Sequence, residues 1–243
     1  MEYILAFATL IGGIASIEYF YNKYRNTRTQ EDKVSGGDCD FFCAVSGSPY
    51  KFESASEEDL RWIAEIEKKA FRGIDVMPLS ALQSWYSANK YSFIVVRGCN
   101  GKNYGYLIAI PLTEVAIQQL CNGELTDTAI DAKDIMESSN YDIGGLHVSA
   151  LVLLKYNSAG QETFGNHIAL KELLSSADLS RKLLKYKKSI KIFSVAGSGS
   201  GKDVIEHLGF NLVTPGAERR DNHPIYSQTI GQLKENLNKM GLV

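Results

Sequence analysis

Hydrophobic and polar positions divide the chain into two unlike parts. Residues Tyr3 to Ile17 (YILAFATLIGGIASI) carry no charge and only two hydroxyls, Thr9 and Ser16. As a helix this run reaches roughly 22 Å, and about 28 Å if continued through Tyr21, near the hydrocarbon thickness of a bilayer. Glu18 is followed by Tyr19, Phe20 and Tyr21 and then by Lys23, Tyr24, Arg25 and Arg28. Aromatics followed by cations suit a membrane interface and its cytoplasmic side. The pattern predicts a transmembrane anchor over residues 1–22, single-pass, with the rest of the chain cytoplasmic. A cleaved signal peptide would need a positive amino end, and only Glu2 precedes the run. A buried helix and an interfacial segment are the other readings of so short a run. Residues 23–48 read as a linker, because Asn26 to Ser48 (NTRTQEDKVSGGDCDFFCAVSGS) is polar, rich in Gly and Ser and without a sustained period.

From residue 49 onward, strand and helix periods alternate. Tyr50 to Glu53 reads as a short strand. Ser56 and Asp59 form a capping-box pair ahead of a helix that repeats Leu60, Ile63, Ile66 and Ala70. Pro78 opens a second helix with Leu79, Leu82, Trp85 and Tyr86 on one face. Tyr91 to Arg97 and Tyr104 to Pro111 are β-branched and aromatic, and Asn100-Gly101 between them predicts a hairpin. Thr113 to Asp142 is polar and acidic and reads as broken helices with Gly123 as a stop. Gly145 to Leu154 reads as a central strand, and His167 to Lys187 as a long helix. Lys191 to Ala196 is a further strand and Gly201 to Leu208 a short helix. Phe210 to Val213 and Ile225 to Thr229 are late strands, followed by an amphipathic terminal helix bearing Ile230, Leu233, Leu237 and Met240. The order β-α-α-β-β-(α)-β-α-β-α-β-β predicts an α/β domain with a mixed sheet: an antiparallel hairpin first, then βαβ connections.

Composition removes several classes. A net charge of -2 over 243 residues lacks the basic excess of a dedicated nucleic-acid binder. At 44% hydrophobic residues the chain is not globally disordered. Its four cysteines are too few for a disulfide scaffold. Cys39 and Cys43 have no further metal ligands nearby in sequence, so no metal site is expected and free thiols in a reducing cytoplasm are.

The loudest local motif is Gly197-Ser198-Gly199-Ser200-Gly201-Lys202-Asp203, between a predicted strand and a predicted helix. A phosphate-binding loop needs Ser or Thr after the Lys to hold magnesium, and here Asp203 would set its charge against the phosphates. The segment reads as a strand-to-helix turn, with a helix start able to attract an anion.

Several strings in order resemble the GNAT superfamily of acyl-CoA-dependent N-acetyltransferases. Asp59 to Phe71 (DLRWIAEIEKKAF) resembles its first helix and Tyr91 to Pro111 its second and third strands. Leu146 to Leu154 resembles its fourth strand, Val204 to Phe210 (VIEHLGF) its late helix, and His223-Pro224-Ile225-Tyr226 the entry to its last strand. The resemblance implies a GNAT-like mixed sheet with flanking helices over residues 49–243, and acetyl-CoA or another acyl-CoA as co-substrate. In that family the pantetheine arm lies in a gap where the fourth strand splays from the next, and the following loop wraps the pyrophosphate. Carried onto this sequence, the coenzyme-binding residues are Val152, Leu153, Leu154, Asn157, Ser158, Ala159, Gly160, Gln161, Gly165 and Asn166, with Ser198 at the later turn. Val152 and Gly160 fit the pattern V-x-x-x-x-(R/Q)-x-x-G-x-(G/A); Asn157 replaces Arg or Gln, and Glu162 stands where a small residue belongs. Gln161 to Asn166 reads as an insertion. The Tyr that protonates the leaving thiolate in many members is Ile205 here, with Ser198, Ser200 and Tyr226 as substitutes. His147 is the candidate base for an incoming amine, since imidazole titrates near neutrality; a hydrogen-bonded structural histidine is the competing reading.

Two charge clusters complete the picture. Arg181, Lys182, Lys185, Lys187, Lys188 and Lys191 form a basic patch suited to a helix end and to anionic lipid. Between Glu124 and Asp142 six acids face one lysine, which suits exposed helix caps or a cationic partner. The expected function is a membrane-tethered N-acyltransferase acting on an amine-bearing small molecule or protein, without nucleic acid. The alternative is a non-catalytic GNAT-like domain binding an acyl-CoA-type ligand or a protein partner.

Overall fold

The computed structural model describes residues 49–71, 73–137, 143–156, 161–164, 172–174, 176, 186–197 and 199–240. Four strands run antiparallel in chain order: β1 (Tyr50–Ser54), β2 (Phe93–Gly98), β3 (Asn103–Leu112) and β4 (Gly145–Tyr156). After a short β5 (Glu162–Phe164), which pairs antiparallel with the end of β4, strand β6 (Lys191–Val195) joins β4 in parallel. The chain then places β7 (Asn211–Thr214) outside β8 (Ile225–Thr229), giving the sheet order β1-β2-β3-β4-β6-β8-β7. This is the expected α/β domain with a mixed sheet. The sequence reading lacked β5, which falls within the expected insertion.

Helices cover both faces. On one lie α1 (Asp59–Ala70), α2 (Leu79–Ala88) and α3 (Glu114–Cys121); they pack Leu60, Ile63, Leu82, Trp85 and Leu120 against Phe93, Val95, Tyr106, Ile108 and Ile110 of the sheet. On the other lie α4 (Gly199–His207) and α5 (Ile230–Lys239), through Val204, Ile230, Leu233 and Leu237. Each contact follows from the helical spacing of apolar side chains, which places them on one stripe. The predicted long helix over 167–187 falls mostly outside the described residues; residues 172–174 are helical, and Leu173 and Leu174 are buried.

The local signals account for most boundaries. Ser56 and Asp59 bond reciprocally, Ser56 N–H to Asp59 Oδ2 at 2.8 Å and Asp59 N–H to Ser56 Oγ at 3.4 Å. Burial raises the Asp59 carboxyl, but Ser56 and the Arg97 guanidinium outweigh it and leave the group below its ordinary range. The hairpin between β2 and β3 turns at Gly101, whose φ of +74° suits glycine. Gly105 has a second purpose: a Cβ there would strike the Val152 carbonyl oxygen, so its absence lets β3 close on β4. Thr113 caps α3, its Oγ1 accepting from the Ala116 N–H at 3.2 Å, and Gly123 at φ +72° follows the helix end.

Cys121 is a half-buried free thiol, raised by burial, whereas Cys99 in the β2–β3 turn is disulfide-bonded. The expectation of free thiols concerns Cys39 and Cys43, which lie outside the described residues. Among the described residues no helix is long and apolar enough to cross a membrane. The predicted anchor over 1–22 and linker over 23–48 lie outside the described residues.

Candidate functional site

The central feature is where β4 leaves β6. Their parallel pairing covers only Leu146↔Ile192, His147↔Phe193 and Val148↔Ser194. At its end the Ser194 hydroxyl donates to the Val148 carbonyl at 3.4 Å. The next residue, Ser149, is a bulge: Ala109 of β3 opposes Val148 and Ile108 opposes Ala150, so Ser149 has no counterpart. An extra residue adds local twist and turns the strand away from a neighbour. Leu154 to Tyr156 then pair with β5. Between the two pairings, residues 150–153 are paired with β3 alone among the described strands, and Ser149 with none. Their remaining backbone groups form an edge, and an extended ligand can bond such an edge as a strand would.

His147 sits immediately before this parting. Strand alternation turns it to the face covered by α1 and α2, where it is 0% exposed. Its Nε2 lies 2.7 Å from Asp127 Oδ1, while Nδ1 is buried without a hydrogen-bond partner. Asp127 belongs to the segment that leaves β3, makes α3, and folds back over the sheet. A side chain of α2 and that of its C-cap hold that segment: Trp85 Nε1–H donates to the Ile130 carbonyl at 2.9 Å and Asn89 Nδ2–H to the Met136 carbonyl at 2.8 Å. The Thr113 N–H to Asp134 carbonyl bond and the Met136 N–H to Pro111 carbonyl bond tie it to the end of β3. The acidic stretch thus divides: Asp131 and Asp134 cap a turn, while Asp127 meets the histidine.

A buried acid lies close by. Glu67 on α1 is 2% exposed. Its Oε1 accepts the Tyr106 hydroxyl at 2.6 Å and its Oε2 the Met77 N–H at 3.3 Å. Burial pushes the carboxyl up to about 7; the Tyr106 and Met77 bonds oppose this, and the Asp127 charge adds to it. Tyr106 is itself driven well above its ordinary value by burial and by Glu67. Glu67 and Tyr106 are absent from the sequence reading of the site. The signal for Glu67 was present: it stands four residues after Ile63, on the apolar stripe of α1, where a carboxylate is out of place. Asp127 had no such signal, since it is one of several acids in an irregular segment.

The predicted coenzyme residues fare unequally. Val152, Leu153 and Leu154 are on β4 at and beyond the parted edge, all with buried side chains. Gln161 is exposed ahead of β5. Asn157, Ser158, Ala159, Gly160, Gly165, Asn166 and Ser198 lie outside the described residues. The substitutes for the thiolate acid are constrained. Ile205 is buried against Ala196 and Tyr226. Tyr226 points to the face opposite His147, as the alternation with Ile225 requires. Its hydroxyl donates to Glu206 Oε1 at 3.0 Å, and burial first, then Glu206, pushes it up to about 12. Lys202 of the glycine-rich motif approaches Glu206 of its own helix at 3.8 Å.

A hollow of ≈ 510 Å³ between α1 and α2, lined by Glu57, Leu60, Tyr86, Lys90 and Glu137 among others, is not lined by His147, Asp127, Glu67 or Tyr106. Among the described residues no group of acidic, cysteine and histidine side chains has the arrangement of a metal site. No protein-family model matches the sequence, and no curated protein matches it.

Proposed function

We propose that the domain is an acyl-CoA-dependent N-acyltransferase of the GNAT type. The observation that carries this reading is the parting of β4 from β6 at the Ser149 bulge, directly after a buried histidine paired with a carboxylate. The open edge at 149–153 supplies backbone donors and acceptors for an extended pantetheine arm. A backbone N–H at that edge would also steady the oxyanion as the thioester carbonyl becomes tetrahedral. The acceptor amine attacks that carbon and the C–N bond forms; the C–S bond breaks with its electron pair leaving on the CoA sulfur, which takes a proton from water, and the amine proton passes to His147. The acceptor class is an amine-bearing small molecule or protein, which the acids around the site would attract as a cation.

A second reading is favoured by specific observations. Ile205 is apolar, Tyr226 is committed to Glu206 on the far face, and His147 is sealed from solvent. A domain that binds an acyl-CoA-type ligand without turning it over would show these same features. Calorimetry of the full chain with acetyl-CoA and with CoA is the test. Saturable binding of both is expected, and release of CoA thiol when amines are added separates transferase from binder. No heat of binding at millimolar coenzyme would end the acyltransferase reading.

The same reading places residues 1–22 in a bilayer as an anchor. It is expected to resist carbonate extraction of membranes, and full release into the supernatant would remove it. The cations after the apolar run favour a cytoplasmic domain. The disulfide at Cys99 pulls the other way, because reducing compartments disfavour that state. Protease protection in sealed vesicles decides between the two sides.

A further inference from the structure

We infer that Asp127 locks His147 in the Nε2–H tautomer, which makes Nδ1 the proton-accepting atom of the site and Asp127 a positioning residue. The inference deepens the proposed function, resting on His147 as base, but its geometry stands without any acyl donor.

An ionised carboxylate can only accept hydrogen bonds. At 2.7 Å, Asp127 Oδ1 therefore calls for a proton on the facing Nε2. A neutral imidazole has one N–H, so Nδ1 is left with its lone pair. The opposite tautomer would set the Nε2 lone pair against the carboxylate and bury an N–H with no acceptor. Nδ1 is the atom found buried and without a partner. A proton arriving there makes an imidazolium beside Asp127, so the pair gains attraction as the base is charged. Asp127 also reaches partway to solvent, its side chain 25% exposed against 0% for His147.

The surroundings keep this arrangement fixed. Trp85 of α2 and its C-cap Asn89 hold the segment that carries Asp127. On the sheet side β4 fixes the ring by its pairing with β3 and β6. Glu67 from α1 lies near enough to feel the Asp127 charge, and Glu67 in turn accepts the Tyr106 hydroxyl of β3. Tyr106 and Met77 occupy the Glu67 oxygens, which leaves the Asp127–His147 contact to the two partners alone.

The test is nitrogen NMR of the full chain labelled at histidine, with the His147 ring assigned by its loss in His147→Gln. The Nε2–H form is expected to exceed the other by at least about tenfold, the preference given by a hydrogen bond to a charged group. Asp127→Asn keeps an acceptor oxygen and should retain that form as the major one. Asp127→Ala removes the acceptor and should bring the two tautomers to comparable amounts. An Nδ1–H ring in the native chain, or an unchanged ring spectrum in Asp127→Ala, would overturn the inference. Should Asp127→Ala not fold, the native and Asp127→Asn spectra still decide it. Failure of coenzyme binding would defeat the acyltransferase reading and leave this measurement untouched, so the two outcomes are distinguishable.

Discussion

Raising the pH from 5 to 8 is expected to cost the folded domain about 3 kcal/mol through Glu67 alone. The carboxyl moves from a reference value of 4.5 to about 7 because burial disfavours its charged form. Between these values the folded protein holds the proton and the unfolded chain does not. The folded state therefore binds more protons, and stability falls as pH rises. The contribution is intact below pH 4.5 and exhausted above about 7. Glu67→Gln removes the titration. The Gln carbonyl can still accept from Tyr106, while its amide meets the Met77 N–H as donor against donor, a penalty independent of pH. Urea unfolding of native and variant chains at pH 5, 6.5 and 8 should show the variant less stable at pH 5 and gaining on the native protein by about 3 kcal/mol at pH 8. A stability difference that stays constant across that range would show that Glu67 titrates normally.

Arg219→Ala is expected to destabilise the domain by about 3–5 kcal/mol, the cost of leaving a buried charge without its partner. The guanidinium of Arg219, in the connection between β7 and β8, is buried. Its Nε and Nη2 donate to the two Asp221 oxygens at 3.1 and 2.7 Å, and its Nη1 donates to the Leu120 carbonyl near the end of α3. Burial raises the Asp221 carboxyl, but Arg219 and the His223 N–H outweigh it and hold the group below its ordinary range. The clamp fastens this connection to α3. It also leaves His223 Nε2 at 3.3 Å from Asp75, in the connection between α1 and α2. The left-handed Asn222, φ 57°, completes the turn, a conformation that Asn tolerates. Denaturant titration measures the loss. The double change Arg219→Met with Asp221→Asn should recover much of it, since no unpaired charge remains and Asn keeps an acceptor for the His223 N–H. Equal losses in the single and double variants would show that shape, not charge pairing, holds this loop.

Most of the candidate site was hidden for a definite reason. The strand bearing His147 was readable, because Gly145 to Leu154 is an apolar run. The mate of that histidine was not, because Asp127 is 20 residues away in a segment without period. The bulge at Ser149 leaves no mark in the residue string either. It appears only once β3 has fixed the register on both sides, Ala109 to Val148 and Ile108 to Ala150. The substitute acid Tyr226 was ambiguous in sequence; alternation along β8 turns it toward α4, where it packs on Ile205 and its hydroxyl donates to Glu206. β5 was missed because three residues are too few to show a period, and it exists through pairing with the end of β4.

The sequence by itself determined the element order apart from β5 among the described residues, the inward stripes of the helices and the turns at Gly101 and Gly123. These depend on side-chain spacing and backbone preference within a few residues, and that information is local. Only the tertiary structure decided which polar groups share a buried space, where β4 parts from β6 and which nitrogen of His147 is left without a partner. Those outcomes depend on register and on contacts between segments far apart in the chain. A residue's chemistry there is set by what surrounds it in space: Glu67 among apolar side chains becomes a proton holder near neutrality, while the exposed acids of the same chain cap turns.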